Sequence, residues 1–140
     1  MKDKHVLAIA TDDIDVVWDA VRPSLQLAMD TYLGAVLCDL GFVHNQLTKG
    51  QSELFVAFDD DNGISGGMVV CYETYPDHKL AYVQIMGGRG LCTKDNMQQF
   101  KEWMRLRNVT VIRAHSNDSV TRLYRKFGLI HTADLTELVL

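Results

Sequence analysis

The segment Gly87-Gly88-Arg89-Gly90 combines residue types that suit the binding of an anion. Glycine has no side chain, so a ligand can approach the backbone closely, and an arginine guanidinium donates charge-assisted hydrogen bonds to phosphate oxygens. A plain glycine-rich turn explains the same residues. The segment therefore predicts either a phosphate-binding loop or a structural turn.

A second segment, residues 117–129, has a helical pattern that starts with a polar residue and ends with glycine. Asn117 can cap the first turn, and Gly128 can end the helix in a left-handed conformation. The apolar face of this helix is formed by Val120, Leu123, Tyr124 and Phe127. The Tyr124 phenol can donate a hydrogen bond while its ring packs in the core, so the residue suits a proton donor and a core aromatic alike.

The spacing of apolar residues predicts the elements that must position these segments. A short strand at residues 6–10 precedes a helix that Thr11 or Asp12 caps, and Pro23 is expected to kink or interrupt this helix. A second helical stretch with an apolar side ends near Lys49-Gly50; its apolar side is formed by Leu33, Val36, Leu37, Leu40, His44 and Leu47.

Three strands follow, at residues 53–58, 64–75 and 80–86, and they are expected to form an antiparallel meander. After the glycine-rich segment come a helix with Met97, Phe100 and Met104 on one face, a strand at residues 109–115, the 117–129 helix and a final strand at 136–140. The predicted order is β-α-α-β-β-β-α-β-α-β. The fold class is therefore α/β, more closely α+β, with a mixed central sheet and helices on both faces, in one domain over residues 1–140.

The 117–129 segment resembles the last motif of the GNAT superfamily of acyl-coenzyme A-dependent N-acyltransferases. The matching positions are an Asn that opens the helix, a Leu-Tyr pair at 123–124, a charged pair, an apolar residue and Gly followed by an apolar residue. The order of elements along nearly the whole chain is also similar to that of this family. The motif itself covers only residues 117–129.

The resemblance implies transfer of an acetyl group from acetyl-coenzyme A, as co-substrate, to an amine, with the thioester in a cleft where two strands separate. By the same resemblance, Tyr124 is the acid that protonates the leaving thiolate, and Asn117 contacts the pantetheine arm. Residues 86–90 correspond to the loop that holds the pyrophosphate at a helix N-terminus. The predicted cofactor-binding residues are Met86, Gly87, Gly88, Arg89, Gly90 and Asn117.

The loop departs from the family pattern, because Cys92 and Lys94 stand where small residues are expected. This departure supports an alternative: a GNAT-fold protein that no longer acylates and acts as a binding or assembly module, a kind of protein also encoded by tailed phages. For the general base, the candidates are Glu73, the acid within a predicted strand, and the neutral Gln84. The acceptor is expected to be an amine of a small molecule or of a protein.

Other polar residues are weaker candidates. Asp77 and His78, at a predicted turn, suit a cationic substrate, although Asp after Pro is common in turns for conformational reasons. His115 precedes the 117–129 helix, and Cys92 precedes the helix before it, where a reactive thiol would need a histidine partner. The histidines and cysteines lack the spacing of a metal site, so no metal is expected.

Composition narrows the class of protein. The 140 residues have a net charge of −4, with 47% hydrophobic and 23% charged residues, which is typical of a globular domain and argues against nucleic-acid binding. The basic residues are expected on solvated faces; they include Arg105, Arg107, Arg113, Arg122, Arg125 and Lys126. With no apolar segment long enough for a membrane span and three widely spaced cysteines, we expect a cytoplasmic chain with reduced thiols. A homodimer is one possible assembly.

Overall fold

The computed structural model describes residues 6–30, 39–59, 63–91 and 93–114. The predicted 117–129 helix and final strand, together with Cys92, His115, Asn117 and Tyr124, lie outside the described residues. The elements are β1 (Val6–Ile9), α1 (Ile14–Ala28), α2 (Leu40–Thr48), β2 (Glu53–Asp59), β3 (Gly63–Thr74), β4 (Lys79–Gly88), α3 (Lys94–Leu106) and β5 (Val111–Ala114).

Within the described chain, these strands form one mixed sheet in the order β1-β2-β3-β4-β5. β1 to β4 are successively antiparallel, which confirms the predicted meander, and β5 joins β4 in parallel. A parallel neighbour requires a crossover connection, and α3 provides it. The mixed sheet of the predicted fold class is therefore confirmed.

Helices cover both faces of the sheet. On one face, α1 and α2 enclose a core with side chains of β2, β3 and β4; it includes Val21, Leu25, Val43, Leu47, Leu54, Val56, Val69 and Ile85. On the other face, Phe100 and Met104 of α3 pack on alternate residues of the same strands, including Phe55, Met68 and Val70. Because successive strand residues point to opposite faces, the continuous apolar runs of β2 and β3 serve both cores.

Three local predictions differ from the structure. Thr11 and Asp12, predicted to cap the helix, instead lie in a 3-10 turn at Thr11–Asp13 that precedes α1. The residue at the N-cap position of α1 is Asp13, and its side chain makes no capping hydrogen bond. α1 also runs through Pro23 as one helix, so the predicted interruption is wrong, whereas the predicted kink stays a prediction; its buried residues on both sides of the proline pack on the sheet. α2 begins at Leu40 because Asp39 is extended and accepts the Gly41 N–H with its side chain, at 2.8 Å; Leu33, Val36 and Leu37 lie outside the described residues.

Arg107, expected on a solvated face, instead ties the end of α3 to β2. Its Nε and Nη2 donate to Oε1 and Oε2 of Glu53 at 2.7 and 2.6 Å, and its guanidinium lies over the Trp103 ring, 4.9 Å from the centroid. The Tyr72 hydroxyl donates to the same Glu53 Oε1 at 2.5 Å. Burial and this hydrogen bond raise the pKa of Tyr72. These hydrogen bonds connect the end of α3 with β2 and β3 at one end of the sheet.

Candidate functional site

The glycine-rich segment divides between a strand and a loop. Gly87 and Gly88 are the last residues of β4 and pair with Gly67 and Gly66 of β3, so the loop proper starts at Arg89 and leads into α3. Gly88 and Gly90 have positive φ values of 87° and 92°, a conformation that favours glycine. The chain can therefore reverse from the end of β4 toward the N-terminus of α3 within a few residues.

Gly87 and Gly88 have a packing role that the sequence interpretation did not include. A Cβ atom at position 87 would lie 2.1 Å from the carbonyl oxygen of Ser24 in α1, and one at position 88 would lie 2.5 Å from the carbonyl oxygen of Ser65 in β3. The absence of side chains thus lets α1 and β3 approach the end of β4. Contact of these two glycines with phosphate stays a prediction.

Ser65 holds the Arg89 backbone from both sides. The Arg89 N–H donates to the Ser65 carbonyl oxygen at 2.8 Å, and the Ser65 hydroxyl donates to the Arg89 carbonyl oxygen at 2.9 Å. The Arg89 N–H is therefore occupied within the protein, whereas its side chain is exposed. Of the predicted contacts at Arg89, the guanidinium remains the group that can reach a bound anion.

Asn96 joins the loop to the first turn of α3. Its side chain is fully buried, and its Nδ2 donates to the Gly90 carbonyl oxygen. Thr93 caps the helix by accepting the Asn96 N–H at 3.2 Å. The next helical residues, Lys94 and Asp95, belong to the first turn, where N–H groups have no acceptor within the helix. The loop and the helix N-terminus thus form one fixed unit at the end of β4.

Sequence reasoning missed Ser65 and Asn96. The Asn96 role had a local signal, because a Thr three residues before it is a common capping arrangement and because a polar residue interrupts the apolar face of α3. Ser65 had no such signal, since its partner is 24 positions away. Met86, another predicted cofactor residue, is half-buried and packs into the α3-side core.

A β-bulge distorts β4 just before this loop. Val69 pairs with Ile85 but Val70 pairs with Val83, which leaves Gln84 as the extra residue. The Cys71 thiol lies 3.3 Å from Gln84 Oε1 and donates to it. Cys71 shares the α1 side of the sheet with Val69 by strand alternation. The bulge therefore places a neutral amide over that face.

The parallel pairing of β4 with β5 runs from Leu80 and Val111 to Val83 and Ala114. β4 continues from Gln84 to Gly88 past the last of these pairs among the described residues. The bulge at Gln84 directly follows Val83, which pairs with the last described residue of β5, Ala114.

The acidic candidates lie near the other end of β3. Glu73 is exposed and accepts a hydrogen bond from the Tyr75 hydroxyl, which raises the pKa of Tyr75. Glu73 is two positions from Cys71 on β3, so both side chains lie on the same face of the sheet. Burial raises the pKa of the Cys71 thiol, and the negative charge of Glu73 raises it further. Glu73 is thus a carboxylate on the same face of the sheet as Cys71, whose thiol donates to Gln84.

Asp77 and His78 pair with each other in the turn between β3 and β4. His78 Nδ1 lies 2.6 Å from Asp77 Oδ1, and this hydrogen bond lowers the pKa of Asp77. The His78 ring stacks on the Tyr75 ring, with centroids 4.6 Å apart. The backbone carbonyl oxygen of His78 accepts the Tyr75 N–H. These contacts give both residues a role in closing the turn.

In the described residues, no three His, Cys, Asp or Glu side chains come together as a metal site. Nor does any helix there have both the length and the apolar character needed to cross a membrane. Met86 through Gly90 are consecutive residues at the end of β4 and the start of the loop. Hydrogen bonds from Ser65 and Asn96 to the Arg89 and Gly90 carbonyl oxygens fix the backbone of this segment.

Neither a protein-family model nor a curated protein sequence matches this chain. Solved structures do match over nearly the whole length. An aminoglycoside acetyltransferase, HMB0005, from an uncultured soil metagenomic sample has a TM-score of 0.70 at 14% identity, covering 99% of this chain and 99% of that one. A GCN5-related N-acetyltransferase from Ralstonia eutropha JMP134 has a TM-score of 0.67 at 13% identity, covering 98% and 99%.

A third structure, a predicted acetyltransferase with acetyl-CoA from Clostridium acetobutylicum, has a TM-score of 0.64 at 14% identity, covering 98% of this chain and 96% of that one. The chain therefore has the fold of the GNAT acetyltransferases, in a sequence that diverges strongly from these structures. The resemblance inferred from the 117–129 segment is confirmed at the level of the fold.

Proposed function

We propose that this protein is an N-acyltransferase that transfers an acetyl group from acetyl-coenzyme A to an amine. The observation that carries the proposal is the unit formed by the Arg89 loop and the capped N-terminus of α3, fixed at the end of a bulged strand in a GNAT fold. A helix N-terminus and an exposed guanidinium are both favourable for a pyrophosphate.

In this proposal, separate residues of the chain bind the cofactor, protonate the leaving group and accept the proton of the amine. Arg89 and the first-turn N–H groups of α3 hold the diphosphate, and Asn117 contacts the pantetheine arm. Tyr124 protonates the departing thiolate, which makes thioester cleavage easier. Glu73, or a water molecule in contact with it, takes the proton of the acceptor amine, since the Gln84 amide cannot accept one at neutral pH. The remaining predicted cofactor contacts are Met86, Gly87, Gly88 and Gly90.

The acceptor we would screen first is an aminoglycoside such as sisomicin. Two of the similar structures are of aminoglycoside acetyltransferases, one in complex with sisomicin. Such a polycationic acceptor would be attracted by an acidic chain of net charge −4. Protein amines are the second group to screen.

We further propose that the protein acts in the cytoplasm and binds neither nucleic acid nor membranes. A homodimer is also proposed, and size-exclusion chromatography with light scattering tests it.

The alternative function is a binding or assembly module that has lost acylation. The specific observation in its favour is that the Arg89 N–H is bonded to Ser65 and is therefore withdrawn from a ligand. Lys94 also begins α3 where the family pattern has a small residue. The first feature removes one backbone donor, and the second places a long side chain where the family pattern leaves room for the phosphates.

Calorimetric titration with acetyl-coenzyme A separates the two functions. The enzyme hypothesis predicts micromolar binding that Arg89→Ala weakens by about 1.5–3 kcal/mol, the contribution of a charge-assisted contact. Arg105→Ala is the matched control, because this exposed arginine lies in the last turn of α3, at the end of the helix away from the Arg89 loop. Absence of binding at millimolar concentration, or equal losses in both variants, would reject the loop as the diphosphate site.

A further inference from the structure

The solvent-facing side of α1 carries a row of exposed apolar residues, here called the α1 row. Its members recur at steps of four, three and four residues, so they lie above one another on the helix; they are Val16, Ala20, Pro23 and Leu27. Val16 is 79% exposed and Leu27 is 64% exposed. The buried residues of the same helix form its opposite side; they are Ile14, Val21, Leu25 and Ala28. Single exposed apolar residues are ordinary, whereas an aligned row is typical of an interaction surface.

The spacing of the α1 row is that of a contact line between two helices. Apolar residues at alternating steps of three and four residues let a second helix pack its own apolar side chains between them. From Val16 to Leu27 the row extends for about 16 Å at 1.5 Å per residue, or roughly three turns. A partner helix of similar length can therefore cover it.

Negative charge borders the α1 row. Residues 12–30 contain five aspartates, one arginine and no lysine, and all six charged residues are exposed; they are Asp12, Asp13, Asp15, Asp19, Arg22 and Asp30. Asp15 lies 2.6 Å from His44, but within the described chain neither Asp12 nor Asp19 belongs to an ion pair. The edges of the row therefore attract cationic groups.

This charge discriminates between possible partners. A second copy of the chain is disfavoured, because in an antiparallel pair of α1 helices Asp12 and Asp13 of one copy would face Asp30 of the other. Anionic membranes bind helices that carry Lys and Arg beside the apolar face, and α1 has the opposite charge. A helix with an apolar stripe between Lys or Arg residues complements both the row and the carboxylates.

We propose that the α1 row is a docking surface for a cationic amphipathic helix of a partner protein. Apolar side chains of that helix pack along Val16 and Leu27, and its Lys or Arg side chains pair with Asp12 and Asp19. One helix face of this length buries less than the roughly 1,200 Å² of a stable complex, so the complex is transient. The proposal is independent of acyl transfer, because none of these residues is assigned to that reaction.

The test is fluorescence anisotropy of the 140-residue chain with two labelled peptides. Both peptides span about three heptads, with Leu at positions a and d and Ala or Gln elsewhere, but one has Lys and the other Glu at positions e and g. The Lys peptide should bind with a Kd of about 10–100 μM at low salt, typical of a small interface. Salt at about 0.5 M should weaken this binding roughly tenfold, because it screens exposed charges. The Glu peptide should not bind.

Val16→Gln and Leu27→Gln should each weaken binding of the Lys peptide about tenfold, because each removes an apolar anchor. Asp19→Asn should reduce the dependence on salt. Leu106→Gln is the matched control, since Leu106 is 74% exposed at the end of α3 and lies outside the row. It should bind the peptide like the unmodified chain. All four variants should keep the urea midpoint, because exposed substitutions seldom alter stability.

The proposal is overturned if the Lys peptide does not bind at millimolar concentration, if both peptides bind equally, or if Leu106→Gln weakens binding as much as Leu27→Gln does. Two further measurements address the other partners. Loss of a dimer in Leu27→Gln, measured by light scattering, would assign the row to contact between copies of the chain. Loss of binding to phosphatidylglycerol vesicles in the same variant would assign it to a membrane. Either result would overturn the cationic helix as its partner.

Discussion

Ser65 and Arg89 form a reciprocal pair, in which the Arg89 N–H donates to the Ser65 carbonyl oxygen and the Ser65 hydroxyl donates to the Arg89 carbonyl oxygen. The hydroxyl also lies 3.3 Å from the Ala57 carbonyl oxygen. One side chain of β3 therefore fixes the start of the loop on which the proposed diphosphate site depends.

Ser65→Ala should lower the free energy of unfolding by about 1 kcal/mol, the typical net value of one internal hydrogen bond. Because the loop would become less ordered, acetyl-coenzyme A binding should weaken as well. Urea unfolding and calorimetric titration measure the two effects. Thr48→Ala removes a hydroxyl bonded within its own helix and is the control. Equal binding in the two variants would show that Ser65 does not organise the loop.

Gly87→Ala should destabilise the fold by about 1–3 kcal/mol, the usual cost of overpacking. The added methyl group would lie 2.1 Å from the Ser24 carbonyl oxygen, so α1 would have to move away from β4. Gly41→Ala is the matched control, because its Cβ would meet only the Asp39 side chain at 3.4 Å, and alanine favours a helix. Thermal unfolding should give opposite signs for the two variants. A stable Gly87→Ala protein would contradict the packing role.

Arg107→Met should lower the free energy of unfolding by about 2 kcal/mol, because it leaves the Glu53 carboxylate without its bidentate partner. The side chains of Arg107 and Glu53 are only 25% and 20% exposed, so water replaces the lost bonds poorly. Urea unfolding of Arg107→Met, Glu53→Gln and the double variant measures the coupling. Additive losses would mean that the two residues stabilise the protein independently.

Tyr124→Phe should reduce turnover about 10²-fold if the phenol protonates the thiolate, a typical effect for a general acid. Binding of acetyl-coenzyme A and the urea midpoint should stay unchanged, since the ring is retained. Steady-state kinetics with an accepted amine, together with calorimetry, makes the comparison. Full turnover in the variant would remove the catalytic role, and a large loss of stability would instead indicate a core hydroxyl.

Much of the fold was predictable because its signals are local. The apolar spacing of residues 14–28 and 97–104 and the runs at 53–58 and 80–86 each predict one element without reference to the rest of the chain. The predictions failed where tertiary packing overrides a local preference. Packing on the sheet carries α1 through Pro23, and Asp39 sets the start of α2.

By itself, the sequence determined the class of elements, their order and the resemblance to the GNAT superfamily, since periodicity and a short motif are properties of neighbouring residues. Only the tertiary structure decided which distant groups meet. Ser65 and Arg89 are 24 positions apart, and Glu53 and Arg107 are 54 positions apart. Such pairs depend on strand register and on how closely helices approach the sheet, and these follow from packing of the whole chain.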